Sequence, residues 1–374
     1  MALLDNVDPQ GLEEFSVVFT DRSLNHMSAV FQKVMNDISS MLKEVYNAKG
    51  VALVPGGGTY GMEAVARQFA KGEKVLVVRN GWFSFRWTQI IDAGKITDQT
   101  TVMKARQVGN DPHSPFAPAP IDEVTARIRE ERPAIVFAPH VETSSGVILP
   151  DAYIAALSAA AHEVGALMVL DCIASGCIWV DMEALGVDVL ISAPQKGWSS
   201  SPSAGLVMMS DRALARLEET QSDSFAVDLK KWYQIMQAYE NGGHAYHATM
   251  PTDALRAFRD TMAETKIYGF ERLREHQWEL GNGVRAILAE RGIQSVAAEG
   301  FGAPGVVVSY TDNPEIQSGR AFAAKGYQIA AGVPLQCDEP QGFSTFRLGL
   351  FGLDKLFNVD ATLKRISAAL DAAL

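Results

Sequence analysis

The chain has 374 residues, 47% apolar and 21% charged, with 44 Asp and Glu against 33 Lys and Arg for a net charge of −11. That length exceeds one ordinary hydrophobic core, so two packed lobes are expected, and the composition excludes a disordered or fibrous chain. The acidic balance argues against a nucleic-acid or anionic-membrane partner, which would call for a basic face, and leaves an anionic small molecule open.

The N-terminal stretch through Phe15 is acidic and lacks the basic start and apolar core of a signal peptide. No run of about 18 apolar residues occurs, so no membrane span is expected and the reading is cytoplasmic. A helix is expected over Ser28–Tyr46, packed beside the larger lobe or a second subunit. Short β-branched runs then alternate with amphipathic ones. Strands are expected at Val51–Val54, Lys74–Arg79, Ala134–Pro139, Leu167–Asp171, Val187–Ser192 and Gly205–Ser210, and helices at Gly61–Phe69, Ile121–Glu131, Ala152–His162 and Arg212–Glu219. Residues Gly109–Pro120 read as a Pro-rich loop. This alternation implies an α/β architecture with a mainly parallel sheet covered on both faces, its site at the carboxyl ends of the strands.

A long helix is expected from about Pro251 to Arg291, with a domain boundary near residue 260: a larger domain over 1–260 and a smaller one over 261–374. Beyond it, strands are expected at Ile293–Val296, Gly305–Tyr310 and Thr345–Leu350, and helices near Ile316–Lys325 and Val359–Leu374. The three cysteines are sparse and suit a reducing compartment. Cys172 and Cys177 lie in an apolar run and read as buried thiols. No Cys/His cluster has metal-ligand spacing, so no metal is expected.

Four features carry chemistry. Pro55-Gly56-Gly57-Gly58-Thr59 follows a strand and precedes a helix, where glycines let the backbone approach an anion and free N–H groups point at it. A tight turn uses the same residues. Asp171 ends a buried strand at the expected active-site edge; a helix-capping Asp is the alternative. Lys196 follows a strand amid small residues and has no charged neighbour for several positions, so its amine has a lowered pKa and can form an imine. A surface lysine is the alternative. Arg347 lies in an otherwise apolar strand and needs an anionic partner, either a substrate carboxylate held bidentately or a structural acid.

In order and spacing, Gly57-Gly58-Thr59, Met62-Glu63-Ala64, Asn80-Gly81-Trp82-Phe83, Glu142-Thr143-Ser144-Ser145-Gly146, Asp171, Gln195-Lys196 and Phe346-Arg347-Leu348-Gly349 carry a resemblance. From about Phe31 to the C-terminus the chain resembles the class-V, fold-type I aminotransferases that use pyridoxal 5′-phosphate (PLP), close to the alanine/serine–glyoxylate group. The resemblance implies a mainly parallel seven-stranded-type sheet sandwiched by helices, with a smaller α+β C-terminal domain. It implies that Gly57, Gly58 and Thr59 hold the cofactor phosphate, that Phe83 stacks on the pyridine ring, and that Ile173 packs on its other face. Thr143 or Ser144 would bond the ring's 3-oxygen side, and Gln195 would bond near the phosphate or ring. Lys196 would hold the cofactor as a Schiff base and, when released, move the substrate's α-proton. Asp171 would keep the pyridine nitrogen protonated, and Arg347 would bind the substrate carboxylate. Tyr246 and Thr249 would reach the phosphate of a second subunit, which implies a homodimer with shared sites. A small amino donor (alanine, serine or aspartate) and an acceptor such as glyoxylate or pyruvate would react by a ping-pong mechanism. The group also includes enzymes of ureidoglycine and of aminophosphonates.

The chain departs from that group before residue 27, where a Pro-Gly-Pro loop is replaced by Phe15 to His26. Arg22 or His26 either meets a second acidic group of the substrate or faces solvent. A β-eliminating lyase of cysteine-desulfurase type is the competing reading, because Cys337 lies ten positions before Arg347. Gln195, where desulfurases carry His, and the acidic flank Asp338-Glu339 argue against it.

Overall fold

The computed structural model describes residues 5–374; the first four residues of the acidic N-terminal stretch lie outside it. Seven strands form the main sheet: β1 (Gly50–Pro55), β2 (Val75–Arg79), β3 (Thr100–Lys104), β4 (Ile135–Pro139), β5 (Leu167–Asp171), β6 (Val189–Ser192) and β7 (Ala204–Met209). Their order is β1-β7-β6-β5-β4-β2-β3. β7 runs antiparallel to both its neighbours, and the other pairings are parallel. β2, β4, β5, β6 and β7 are buried along their whole length, as strands covered on both faces must be. The result is the mixed α/β architecture with a mostly parallel central sheet that the sequence implies.

Helices Gly58–Phe69, Trp82–Gly94, Asp151–Glu163 and Leu229–Glu240 pack directly on this sheet. The Trp82–Gly94 helix is anchored by Trp87, whose ring stacks on Phe137 of β4 at 4.2 Å between centroids. Such a pair contributes about 0.5–1.5 kcal/mol beyond its buried area. It holds the first turn of the helix at the carboxyl edge of the sheet. The helix Ala29–Tyr46 starts at Ser28, whose hydroxyl accepts from Phe31 N at 3.1 Å, and packs on the helices Leu229–Glu240 and Thr252–Tyr268.

A second sheet of three strands follows, β8 (Val306–Tyr310), β9 (Ala330–Ala331) and β10 (Thr345–Gly349), in the order β8-β10-β9 and antiparallel throughout. The C-terminal helix Val359–Ala373 packs on the helix Phe270–Glu290.

Several expected elements are corrected. The long helix is two, Thr252–Tyr268 and Phe270–Glu290, separated by Gly269, whose φ of 105° no helix accommodates. Ile316–Lys325 is likewise divided, into Pro314–Gln317 and Arg320–Ala323, by Gly319 at φ 79°. Ile293–Val296 is not a strand: it meets β8 only through an isolated bridge, Ser295 with Ser309, while Phe116 N donates to Val296 O. The loop Gly109–Pro120 contains a short strand, Phe116–Ala117, paired with Arg106–Gln107. β3 and the helices Trp82–Gly94 and Leu229–Glu240 are additions to the expected set. β3 is a half-exposed edge strand with a Thr-Thr start, and the Trp82–Gly94 helix is aromatic around much of its circumference; neither carries a clear period.

Candidate active site

Every strand-end residue singled out in the sequence lies at the carboxyl edge of the main sheet. After β1 the chain turns through Gly56, at φ 125°, into the helix Gly58–Phe69. No side chain caps that helix, so its first N–H groups remain available to an anion. A Cβ on Gly58 would lie 2.4 Å from Ile173 Cδ1; the loop after β1 and the loop after β5 approach each other as only glycine permits. Thr59 Oγ1 accepts from Arg86 Nη1 at 3.0 Å. Arg86 projects from the first turns of the Trp82–Gly94 helix, and its guanidinium carbon stands 5.2 Å from the centre of the Phe83 ring.

Asp171 and Lys196 come from adjacent strands, β5 and β6, where Asp171 pairs with Ile191. Asp171 is 7% exposed, and its Oδ1 accepts from Ile173 N at 2.9 Å. Burial pushes its pKa up to about 7; the Ile173 N–H holds it back, Glu142 raises it further and Arg86 offsets that in part. Lys196 sits in the turn after β6. Burial lowers its pKa, and the nearby Arg347 cation adds to that shift. Its Nζ stands 5.2 Å from the centre of the Phe351 ring. The turn is held from two sides: a Cβ on Gly197 would strike Gly176 O, and Ser199 Oγ accepts from Leu353 N at 3.1 Å. Beside the lysine, Gln195 Oε1 is buried with no hydrogen-bond partner.

Arg347, on β10, donates from Nε to Ala331 O at 2.8 Å, and its guanidinium carbon is 5.7 Å from the centre of the Phe83 ring. Burial lowers its pKa and the Glu142 charge raises it. Phe83 therefore has two arginines near its ring, one reaching toward Thr59 and one coming from the second sheet. The structure brings Gly58, Thr59, Phe83, Asp171, Ile173, Lys196 and Arg347 into one connected group.

Of the two residues offered for the 3-oxygen side, Ser144 is already engaged. Its hydroxyl donates to Glu142 Oε1 at 2.7 Å and accepts from Trp82 N at 2.8 Å. The Thr143 hydroxyl makes no such bond among the described residues. Tyr246 and Thr249 lie on the stretch before the Thr252–Tyr268 helix and bond each other at 3.1 Å; Tyr246 is 56% exposed, and its ring meets His26. Among the described residues, no hydrogen bond or ring contact joins either to the strand-end group. His26 does not face solvent. It is buried among the rings of Phe19, His244 and Tyr246, with Nδ1 unpartnered, and Arg22 pairs with Asp21.

Cys337 does not fit a nucleophile. Its thiol is buried, donates to the carbonyls of Arg79 at 3.4 Å and Leu335 at 3.7 Å, and is pushed up to about 12, chiefly by burial. Two residues that the sequence reading left without a role stand out, Arg86 and Glu142. The available signal was a lone charge in an apolar or small-residue motif, Phe85-Arg86-Trp87 and Val141-Glu142-Thr143.

The residues fit PLP on their own chemistry. A helix start with free N–H groups and Arg86 nearby suits a phosphate. A buried carboxylate without a bonded cation suits a pyridinium, a half-buried lysine with a lowered pKa suits an aldehyde, and the orphaned Gln195 Oε1 lacks a donor. The family profile for aminotransferase class-V matches residues 12–300. Similar proteins include L-aspartate–glyoxylate aminotransferase of Paracoccus denitrificans (strain Pd 1222), 27% identical over 281 residues that span 74% of this chain and 67% of that protein. Another is the soluble hydrogenase 42 kDa subunit of Anabaena cylindrica, 25% identical over 311 residues, 82% of this chain and 77% of that one. The solved structure of a subgroup IV aspartate aminotransferase from Thermus thermophilus superposes with a TM-score of 0.75 at 25% identity, covering 94% of this chain and 93% of that chain. With well over half its length matched, this chain belongs to the class-V aminotransferase family and is a PLP-dependent aminotransferase.

Proposed function

We propose that the chain moves an amino group from a small L-amino acid, alanine, serine or aspartate, to a small 2-oxo acid such as glyoxylate or pyruvate in two half-reactions. The observation that carries this reading is the placement of one amine and one carboxylate at the carboxyl ends of neighbouring strands, Lys196 half-buried in the turn after β6 and Asp171 buried at the end of β5, neither bonded to an opposite charge among the described residues. When bound, PLP supplies an electron sink that stabilises negative charge at the substrate's α-carbon.

The chain's own residues would do the rest. The Gly58 and Thr59 N–H groups, the Thr59 hydroxyl and Arg86 would receive the phosphate. Phe83 and Ile173 would flank the ring, with Thr143 at its 3-oxygen and Gln195 close by. Asp171 would hold a proton at the pyridine nitrogen, and Lys196 Nζ would hold the aldehyde carbon. Burial and the Arg347 charge shift Lys196 toward its free amine, so Nζ can accept the substrate's α-proton. Arg347 would take the substrate carboxylate in the fork of its guanidinium.

Two features support a homodimer. Tyr246 and Thr249 stand away from the chain's own site, and Leu12, Phe15, Val17, Phe225 and Tyr246 expose large apolar surface that a second copy would cover.

The test is an absorption titration of the purified protein with L-alanine, L-serine and L-aspartate, followed by glyoxylate. Conversion of the visible band to a near-ultraviolet one by one donor, reversed by glyoxylate, is the expected result and ranks the donors. A visible band that never converts while ammonia or pyruvate accumulates would overturn transamination in favour of elimination.

A further inference from the structure

Glu142 is fully buried in the turn after β4, and its charge is met by hydrogen-bond donors rather than by a bonded cation. Oε1 accepts from Phe83 N at 3.2 Å, Ser144 N at 3.1 Å and Ser144 Oγ at 2.7 Å. Oε2 accepts from Ser84 N at 2.8 Å and Ser84 Oγ at 2.7 Å. Those two hydroxyls accept in turn: Ser144 Oγ from Trp82 N at 2.8 Å, and Ser84 Oγ from Asn80 N at 2.9 Å and Gly81 N at 3.1 Å. Five consecutive backbone N–H groups, from Asn80 to Ser84, thus end on one carboxylate, directly or through one hydroxyl. The turn lies so close to this pair that a Cβ at Gly81 would strike Ser144 Oγ and the Glu142 side chain, an approach that glycine alone allows. A negative charge at this position also suits the positive end of the Trp82–Gly94 helix.

We propose that Glu142 is a positioning residue for the reaction: it fixes the Asn80–Ser84 turn and, through it, the ring of Phe83 and the reach of Arg86 toward Thr59. The inference rests on the PLP reading above, in which Phe83 flanks the cofactor. The oxygens of Glu142 are taken up by Phe83, Ser84 and Ser144, so it would act on substrate and cofactor only through those residues. Its effect passes through a turn that carries Phe83, whose ring centre lies 5.2 and 5.7 Å from the guanidinium carbons of Arg86 and Arg347. In Glu142→Gln an amide NH₂ must replace one oxygen and faces N–H and O–H donors at every contact, so the turn has to shift.

The test compares wild type with Glu142→Gln in three readouts: PLP affinity of the apoprotein by visible absorption, kcat and KM for the amino donor at saturating PLP, and melting of the apoprotein. The expected result is PLP binding weakened about tenfold or more and kcat lowered about tenfold or more, since small misplacements cost that much. KM for the donor should stay within about threefold, because the anchor of Arg347 on Ala331 O is untouched. A variant that folds, melts lower and keeps wild-type PLP affinity and kcat would show a merely structural acid and overturn the inference. If Glu142→Gln does not fold, Ser144→Ala decides: it removes the hydroxyl that joins Trp82 N to Glu142 and leaves the carboxylate's other bonds in place. There PLP affinity should fall about threefold or more alongside a lowered melting temperature, and unchanged affinity would overturn the inference. Wild type that binds no PLP sinks the cofactor reading itself, and this inference with it; wild type that binds PLP beside a variant that binds it equally well sinks only the inference.

Discussion

Burial of Asp171 without a bonded cation favours its protonated form in the folded apoprotein, lifting its pKa from 3.8 to about 7. The sign of the consequence follows from proton counting. Between these two values the folded chain binds a proton that the unfolded chain has lost, so stability falls as pH rises through that window. The full difference corresponds to about 4 kcal/mol as an upper bound. Asp171→Asn keeps the acceptor for Ile173 N and cannot ionise. Urea unfolding of the apoproteins should therefore show the variant gaining on wild type between pH 5 and pH 8, while its transaminase activity collapses because no carboxylate faces the pyridine nitrogen. Equal pH dependence for the two apoproteins would mean that Asp171 is not the buried acid described. The opposed effects on stability and activity are the mark of a residue kept for chemistry at a cost to the fold.

At the scale of elements, the proposed phosphate cradle depends on how closely the helix Gly58–Phe69 approaches the sheet. A Cβ on Gly205 of β7 would lie 2.6 Å from Gly61 N and 2.7 Å from Gly61 Cα, backbone atoms that cannot swing aside. Gly205→Ala must push the helix off the strand, at about 1–3 kcal/mol for overpacking, and should also weaken PLP binding. Gly57, two residues past β1, is extended at φ −179° and has nothing within 4 Å of a would-be Cβ, so the stability of apo Gly57→Ala should match wild type within about 0.5 kcal/mol. Chemical denaturation of both apoproteins checks the contrast, and a destabilised Gly57→Ala beside a neutral Gly205→Ala would contradict the packing described. The Trp82–Gly94 helix is tied in a different way: Trp87 stacks on β4 at one point and Glu142 receives the N-terminal turn at another.

For the whole molecule, the exposed apolar side chains are concentrated where a single chain has no use for them. Leu12 is 98% exposed, Phe15 84% and Val17 102%, all within one N-terminal stretch. Burying one such side chain contributes about 1.5–3 kcal/mol, so a second copy covering this stretch gains substantially. Sedimentation should give a particle of twice the 40.5 kDa chain mass. Phe15→Glu should weaken the dimer by about tenfold or more, since a charge would then have to be buried in the contact. A wild-type monomer at micromolar concentration would remove the dimer from the proposed function and leave Tyr246 and Thr249 without a role.

Local pattern determined much of this protein. The buried strands of the main sheet were legible because β-branched runs of the right length alternate with amphipathic ones, and alternation of that kind forces a parallel sheet whose carboxyl ends gather the loops. Asp171, Lys196 and the glycines after β1 were legible for the same reason: each ends a readable strand or lies in the turn that follows one. Arg347 stood out as a charge in an apolar strand. Tertiary structure alone decided the rest. Ser144 and Thr143 are indistinguishable as neighbouring hydroxyls until Trp82 N, 62 residues away, engages one of them. Arg86 and Glu142 carry no sequence period; they gain their roles only when segments about 27 and 58 residues apart close on each other. The aromatic-rich Trp82–Gly94 helix is held by stacking across the sheet rather than by propensity. Gly269 and Gly319 interrupt stretches whose periodicity continues across them, because left-handed backbone breaks a helix without altering the pattern of its side chains. Periodicity reports which face of an element is buried; only the closed fold reports what that face meets.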